Sequence, residues 1–580
     1  MDKKTFIKGK DKDLEFSIAS MQEKLSNIGI NIQSVSAQNP VPYVYSQHIN
    51  DADCTMMFTN GKGACEKSCL ASAMGEFFER YSCNYFFADY YLGAEVSDGK
   101  FVHYPNEKWF VSEDDEMPEG LLDDSLWDFY DPESELHPSQ VIDINSDVER
   151  GICGLPFERQ SDKKTIYFPV NIIGNLYVSN GMSAGNTQNE ARVQALCEIY
   201  ERYAKNKIIA EGITLPLIPD EVLSRFPHIK ESIQKLKDHG YSLRICDASL
   251  GGVYPVISVT LINPKDGSVF ASFGSHPCFE VALERTVTEL LQGRDLEIGD
   301  DFFAPSFNLD EVADDHNLEA HFINSSGLLH YDFFKETPTY KFVDWNHDSS
   351  TENEFNYLCK IAEDADKEIY ITDYEHLGVY ACRIIIPSMS EIYPVQDLLW
   401  SNNNEGAYYR EPILSLDTLD NEDKLSIIQN LEEAEHNDML KVAEFIGVIP
   451  DENTAWQSLT VGELKAMIYL CLGDKQNAKE WVVWCNVMAE LNDERQNMYK
   501  CLDALLEIGL SGMPLDEYIP SLNLMYSEKL VQDCLEIIEQ KQCFYGLHFT
   551  GLSLDGFTKH QKLLKAYAKA HKAKEENFKD

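Results

Sequence analysis

Up to about residue 400, short apolar runs alternate with stretches of helical periodicity. Residues 54–58, 165–173, 253–262, 268–273 and 379–386 read as strands. Two of these runs flank Asn263-Pro-Lys-Asp-Gly267, whose composition predicts a hairpin turn. Beyond about residue 415 the pattern changes to a 3.6-residue period with short breaks. It predicts helices over 424–434, 438–446, 461–472, 476–488 and 496–508. The chain therefore reads as an α+β region with mixed sheets and helices over 1–410, followed by an all-α region over 411–580. In the second region, 456–478 resembles one helix-turn-helix unit of the tetratricopeptide (TPR) kind about Gly473-Asp474. A plain bundle accounts for it equally, and either would serve for interaction or dimerisation. The Lys-rich segment 559–579 reads as a solvated terminal helix, and the acidic stretches 114–124 and 300–315 as surface loops.

Three of the helical segments carry the chemistry. In the first, Ser72, Glu76 and Glu79 fall within about 60° of arc at 100° per residue, amid Ala71, Ala73, Met74, Phe77 and Phe78. In the second, Glu190, Gln194, Glu198 and Glu201 form a similar stripe on a helix otherwise rich in Ala, Leu, Ile and Tyr. A shift of 122 residues superimposes Glu76, Glu79, Arg80 and Tyr81 on Glu198, Glu201, Arg202 and Tyr203, and Gly63 on Gly185. Each unit thus reads as strand, glycine loop and helix, the glycines letting backbone N–H groups approach a ligand. The third helix, after the hairpin, repeats the spacing with Arg285, Glu289 and Gln292.

Carboxylates aligned on apolar helices repel one another and lose solvation, so they persist best where cations compensate them. Oxygen ligands without nearby His or Cys select Mg²⁺, which is commonly bound through a few carboxylates plus substrate phosphates. One such helix is better explained as an exposed charged face. Three, two of them in a superimposable frame, favour a triphosphate bridged to the protein by metal, with Arg202 and Arg285 on phosphate. Other motifs add little. Asn60-Gly-Lys-Gly63 lacks the spacing of a Walker-type phosphate loop. His276 reads as a structural histidine, and Asp373, Glu375 and His376 as turn residues.

Composition narrows the setting. Of 580 residues, 44% are hydrophobic, which is ample for packed cores, and the formal charge of -48 excludes a general nucleic-acid binder. No apolar run approaches the roughly 18 residues of a membrane span. The N-terminal stretch has no secretory signature. The 15 cysteines include no Cys-x-x-Cys pair, which excludes a zinc ribbon and points to a reducing cytoplasm. Cys65 and Cys69 read as small core residues.

The combination Ser72-x-x-x-Glu76-x-x-Glu79-Arg80, Ser183-Ala-Gly-Asn186 leading to Glu190 and Glu198-x-x-Glu201-Arg202, then Arg285-x-x-x-Glu289-x-x-Gln292, resembles the YcaO family. The resemblance extends over essentially the whole chain, including residues 6–11, 103–109, 150–156 and the helical region. It implies ATP and Mg²⁺ as cofactors and ATP-dependent activation of a backbone amide oxygen. Glu76, Glu79, Glu198 and Glu201 would bind Mg²⁺. Lys10, Ser17, Ser72, Asn186, Glu190, Arg202, Arg285, Glu289 and Gln292 would bind ATP. Among stand-alone members the implied role is accessory to the radical methylthiotransferase RimO in β-methylthiolation of an aspartate in a small-subunit ribosomal protein. The expected assembly is a homodimer through the helical region, without direct contact to nucleic acid or membrane. Azoline-forming members typically end in a proline-rich tail, whereas this chain ends Glu575-Glu-Asn-Phe-Lys-Asp580. That departure weighs against peptide cyclodehydration and leaves a scaffold with a regulatory ATP site as the main alternative. A carboxylate-metal hydrolase that works without nucleotide is the weaker one.

Overall fold

A computed structural model describes residues 4–112, 116–293 and 302–578. Three antiparallel sheets carry the α+β part. The first is a meander of β1 (Ile32–Val41), β2 (Val44–Asp51) and β3 (Phe58–Gly63). The second contains β4 (Lys108–Phe110), β5 (Ile152–Arg159), β6 (Thr165–Pro169), β7 (Met182–Gly185), β11 (Tyr370–Tyr374) and β12 (Tyr380–Ile385). Its order is β4-β5-β11-β12-β7, with β6 also paired to β5. The third is β8 (Ser242–Asp247), β9 (Val256–Ile262) and β10 (Val269–Ser275), in the order β10-β9-β8. Strands β9 and β10 form the expected hairpin, with Val269 opposite Ile262 and the Gly267 N–H bonded to Asn263 O at 2.9 Å.

The helices that shape the site are α1 (Leu14–Asn27), α2 (Glu66–Ser82), α3 (Gln188–Ala210), α4 (Phe279–Leu290) and α5 (Thr351–Asp364). Helix α2 follows β3 and α3 follows β7, so the 122-residue repeat is a repeated strand–helix unit. The correspondence reaches individual atoms. Cys65 caps α2 by accepting from the Ser68 N–H, and Thr187 caps α3 by accepting from the Glu190 N–H. A Cβ on Gly63 would lie 2.8 Å from the Cys69 nitrogen, and one on Gly185 would lie 2.7 Å from the Ala191 nitrogen. These glycines therefore do not form ligand loops, as their composition suggested. They end strands, and they are glycine because the following helix packs directly on the strand backbone.

After β12 the described residues hold helices joined by turns and no further strand, apart from an isolated bridge between Lys441 and Thr460. The predicted turn joins α6 (Val461–Leu472) to α7 (Lys475–Met488). Gly473 terminates the first in the left-handed region at φ 74°, and Asp474 caps the second through the Asn477 N–H at 3.1 Å. Buried Trp456, Tyr499, Leu464 and Leu502 belong to one apolar core with them.

Several expectations need correction. The run at 54–58 is mostly the turn into β3, and that at 165–173 leaves the sheet at Pro169 for the helical turn Val170–Ile172. Asp373 belongs to β11, where it pairs with Arg192 of α3. The acidic stretches fall partly outside the described residues, and Leu309–Val312 within the second is helical. The terminal helix α8 (Thr558–Asn577) is not solvated along its length. Leu563, Tyr567 and Lys574 are buried against the N-terminal half. Tyr81 Oη donates to Ala566 O at 2.8 Å, and Lys574 Nζ donates to Asn84 Oδ1. Burial pushes the Lys574 ammonium down to about 7.

Candidate nucleotide and metal site

Helices α2, α3 and α4 converge on one cleft of about 1250 Å³, and every residue named from the sequence as a metal or nucleotide contact lines it. Ser72, Glu76 and Glu79 come from α2. Glu190, Glu198, Glu201 and Arg202 come from α3, with Asn186 just before it. Arg285 and Glu289 come from α4. Gln292 lies beyond the end of α4, which stops at Leu290, so it is not part of a helical stripe; its amide donates to Asn60 O on β3. Ser17 comes from α1 and Lys10 from the segment before it.

The two carboxylate pairs are held by the same device. Arg80 pairs with Glu76 and Arg202 with Glu198 at 2.8 Å, both at i,i+4 spacing. Each guanidinium also lies over an aromatic ring, 5.2 Å from the Tyr85 centroid and 4.8 Å from that of Phe322. The second carboxylate of each pair is less compensated. Glu201 accepts the Ser275 N–H at 3.1 Å, and among the described residues no hydrogen bond reaches the Glu79 carboxylate. Burial pushes the Glu79 carboxyl well above the usual range. The charges of Glu198 and Glu76 add to this against the opposing pull of Arg80 and Arg202. Burial also raises Glu198, although Arg202 opposes it. The carboxylates of the two units thus share one electrostatic field across the cleft.

Cations line the same space. Arg285 donates to Gln194 Oε1 at 2.6 Å. Lys62 of β3 pairs with Glu289, and burial pushes its ammonium down to about 8. Lys205 Nζ donates to His321 O at 2.7 Å and is also pushed down to about 8 by burial. Sequence reasoning missed both lysines. For Lys62 a usable signal existed: in a strand, positions i and i+2 share a face, so Asn60 and Lys62 belong together, and both line the cleft. Treating 60–63 as a loop hid it.

Among the described residues, no three His, Cys, Asp or Glu side chains form a closed metal cage. The donor set is nevertheless that of a hard cation completed by a ligand's own oxygens: four carboxylates from two helices, with the Ser72 hydroxyl lining the same cleft. Glu79, half-buried beside Glu198 and Glu76, is a carboxylate whose charge a cation would compensate.

An α+β framework whose repeated strand–helix unit sets opposed glutamates across a cation-lined cleft defines an acid-rich, ligand-binding class of protein. The chain belongs to the YcaO family. Residues 60–390 match the family described as "YcaO cyclodehydratase, ATP-ad Mg2+-binding", and residues 406–576 match the YcaO cyclodehydratase C-terminal domain. It is 53% identical over 578 residues to the Escherichia coli protein called "Ribosomal protein S12 methylthiotransferase accessory factor YcaO", covering 98% of each chain. A Haemophilus influenzae protein is 50% identical over 587 residues, with full coverage of both. Among solved structures, the YcaO protein of Methanopyrus kandleri bound with AMPPCP and Mg²⁺ aligns at a TM-score of 0.41 and 16% identity. That alignment covers 65% of this chain and 91% of the other. Among the described residues, no helix is long and apolar enough to cross a membrane.

Proposed function

We propose that the cleft binds ATP with Mg²⁺ and that the protein uses them to activate a backbone amide in a polypeptide acceptor. The observation that carries this is the opposition of Glu76 and Glu79 to Glu198 and Glu201, ringed by Arg202, Arg285 and Lys62. Acidic and basic groups in one cleft match a ligand that is itself a polyanion carrying cations. The four glutamates would hold Mg²⁺. Ser72, Asn186, Arg202, Arg285, Glu289 and Gln292 would hold the nucleotide with Lys10 and Ser17, and Glu190 would act beside them. When bound, ATP with Mg²⁺ supplies the phosphoryl group that turns an amide oxygen into a leaving group. The residues of this chain orient the phosphates and compensate charge as it develops. A cleft of about 1250 Å³ exceeds the 300–1,000 Å³ common for single small ligands, leaving room for an acceptor segment.

The near-full-length relationship to the E. coli accessory factor supports a role beside a ribosomal-protein methylthiotransferase, with aspartate methylthiolation as the outcome. The fifteen cysteines are all free thiols, which fits work in the cytoplasm. Titration with an ATP analogue and Mg²⁺ should show binding to wild type. Binding should fall by about 100-fold or more in Glu79→Ala and Glu201→Ala, because direct ligands cost at least as much as the outer-shell partners worth 10–100-fold. Cells carrying only these variants should also have less methylthiolated ribosomal protein by mass spectrometry. Variants that bind and turn over ATP as wild type does would remove the site assignment.

The homodimer belongs to the same proposal, through the C-terminal helical region. Val487, Leu524 and Met525 there are 75%, 90% and 71% exposed, which leaves them available to a partner. Sedimentation should give a dimer mass for wild type and a monomer for the Val487→Asp/Leu524→Asp double variant. A dimer mass retained in the double variant would place the interface elsewhere.

A further inference from the structure

Residues 5–14 form a closed loop that lines the cleft through Ile7, Lys8, Gly9, Lys10 and Lys12. The Leu14 N–H donates to Thr5 O at 2.9 Å, joining the ends of the segment just where α1 begins. Thr5 is fixed again by Glu15, whose carboxylate takes the Thr5 N–H and hydroxyl at 2.8 Å and pairs with Lys67 of α2 at 2.6 Å. Lys8 bridges Glu280 of α4 at 2.9 Å and Asp348, just ahead of α5, at 3.0 Å. The Asp11 carboxylate accepts from Thr187, the cap of α3, and from Thr351 at the start of α5. The segment is therefore tied to α2, α3, α4 and α5, three of which carry the opposed charges of the cleft.

Two contacts fix the register of the loop. Gly9 has φ 72°, and a Cβ there would lie 2.7 Å from His276 Nε2, so the backbone rests directly on the imidazole. The ring is held from behind, where Nδ1 accepts the Cys278 N–H at 3.0 Å. Burial, then the Arg285 and Lys10 charges, push the imidazole well below its usual range. Its Nε2 faces Gly9 and lies 4.0 Å from the buried Glu354 carboxyl group. The second contact is Glu190. Its Oε2 accepts the Asp11 N–H at 2.9 Å, its Oε1 pairs with Lys10 at 3.2 Å, and Asn186 donates to both oxygens at 3.0 Å. Asn186 in turn accepts from Ser17 of α1 at 2.7 Å. Both Glu190 oxygens are thus committed to the loop and its support.

We infer that residues 5–14 are a clasp that retains the bound nucleotide, seated on Gly9 and His276, latched by Lys8 to Glu280 and Asp348, and anchored by Glu190 as a positioning residue. This rests on the nucleotide reading of the cleft. The two kinds of attachment differ in strength. The Lys8 latch is a partly exposed ion pair, which is weak and reversible. Glu190 is buried and its bonds are charge-assisted. A loop with a firm anchor and a weak latch opens at the latch. Ile7, Lys8, Gly9, Lys10 and Lys12 all line the cleft, so opening uncovers the ligand without unfolding the helices.

The experiment is stopped-flow release of a fluorescent ATP analogue with Mg²⁺, together with amide hydrogen exchange of residues 5–14. It compares wild type with Lys8→Gln and Gly9→Ala. Release should accelerate about tenfold in both variants while association changes little, since related complexes differ mostly in off-rate. The Asp11 and Leu14 amides should exchange slowly in wild type, more slowly still with analogue and Mg²⁺, and faster in both variants. Lys8→Gln lies at an exposed side chain, so it tests the latch even if Gly9→Ala perturbs folding. Wild-type release rates in both variants, or residues 5–14 exchanging freely in wild type, would overturn the clasp. If wild type binds no analogue at all, the nucleotide reading falls with it, an outcome distinct from binding with unaltered release.

Discussion

Gly61→Ala is expected to destabilise the protein by about 3 kcal/mol or more, at the upper end of what overpacking a tight contact costs. An ideal Cβ at Gly61 would lie 2.2 Å from Cys69 O, 2.6 Å from the Ala73 nitrogen and 2.7 Å from Ala73 Cβ. The first two are backbone atoms of α2, so no side-chain rotation relieves the clash. Helix α2 cannot retreat cheaply. Thr59 Oγ1 donates to Ala73 O at 2.8 Å, Cys69 Sγ donates to Gly61 O at 3.3 Å, and β3 is bonded along its other edge to β2. Gly75→Ala, on the same helix, is the control. Nothing lies within 4 Å of its Cβ, and alanine gains about 0.5–1 kcal/mol over glycine in a helix interior. Denaturant unfolding should show the two midpoints moving in opposite directions at similar slopes. A Gly61→Ala protein as stable as wild type would mean that the glycine serves backbone approach to a ligand instead.

That glycine marks where the sequence was legible and where it was not. Helices α2 and α3 were legible because their polar stripes recur at 3.6-residue spacing and the 122-residue shift tied them together; α4 was legible only over the single turn from Arg285 to Glu289, since Gln292 lies beyond its end. The strands before them were not. Residues 58–63 and 182–185 are short and glycine-rich, so composition pointed to loops, although the glycines exist because a helix packs on them. Strand β1 is exposed along most of its length and carries Gln, Ser and Asn, so it has no alternation to read. Contacts distant in sequence were equally hidden. Alone, Lys10 is a surface lysine, and its partner Glu190 lies 180 residues away. Lys574 looks like part of a charged tail until Asn84 and the Tyr104 and Tyr567 rings surround it. The glutamates proposed for the site lie on local stripes and could be read; the latch and anchor of the loop over them could not, because Lys8, Asp11 and Lys10 meet partners about 180 to 340 residues away.

Glu79→Gln should stabilise the ligand-free protein and abolish its response to ligand, so that the order of stabilities reverses when ATP analogue and Mg²⁺ are added. Without ligand, Glu79 is desolvated and faces the charges of Glu198 and Glu76, which together push its carboxyl well above the usual range. At a pH that ionises it, the folded state thus bears a cost the unfolded chain does not. Glutamine has nearly the same shape and no charge, which removes both the repulsion and most of the desolvation. Melting should rise by about 1 °C in the variant, the response expected of a change near 1 kcal/mol in a chain of 580 residues. Adding analogue and Mg²⁺ then stabilises only the form that binds them, by about 2.7 kcal/mol at a hundred times the dissociation constant. Wild type should overtake the variant once that gain exceeds the relieved repulsion. Glu211→Gln, at the C-terminal cap of the helix that carries Glu198 and paired with Lys207 at the surface, should show neither effect. Parallel melting shifts of wild type and Glu79→Gln on adding ligand would remove Glu79 from the site. A Glu79→Gln protein less stable than wild type without ligand would mean that the carboxylate is satisfied by a partner within the protein. Either outcome would undo the argument that these glutamates are opposed because a cation is meant to lie between them.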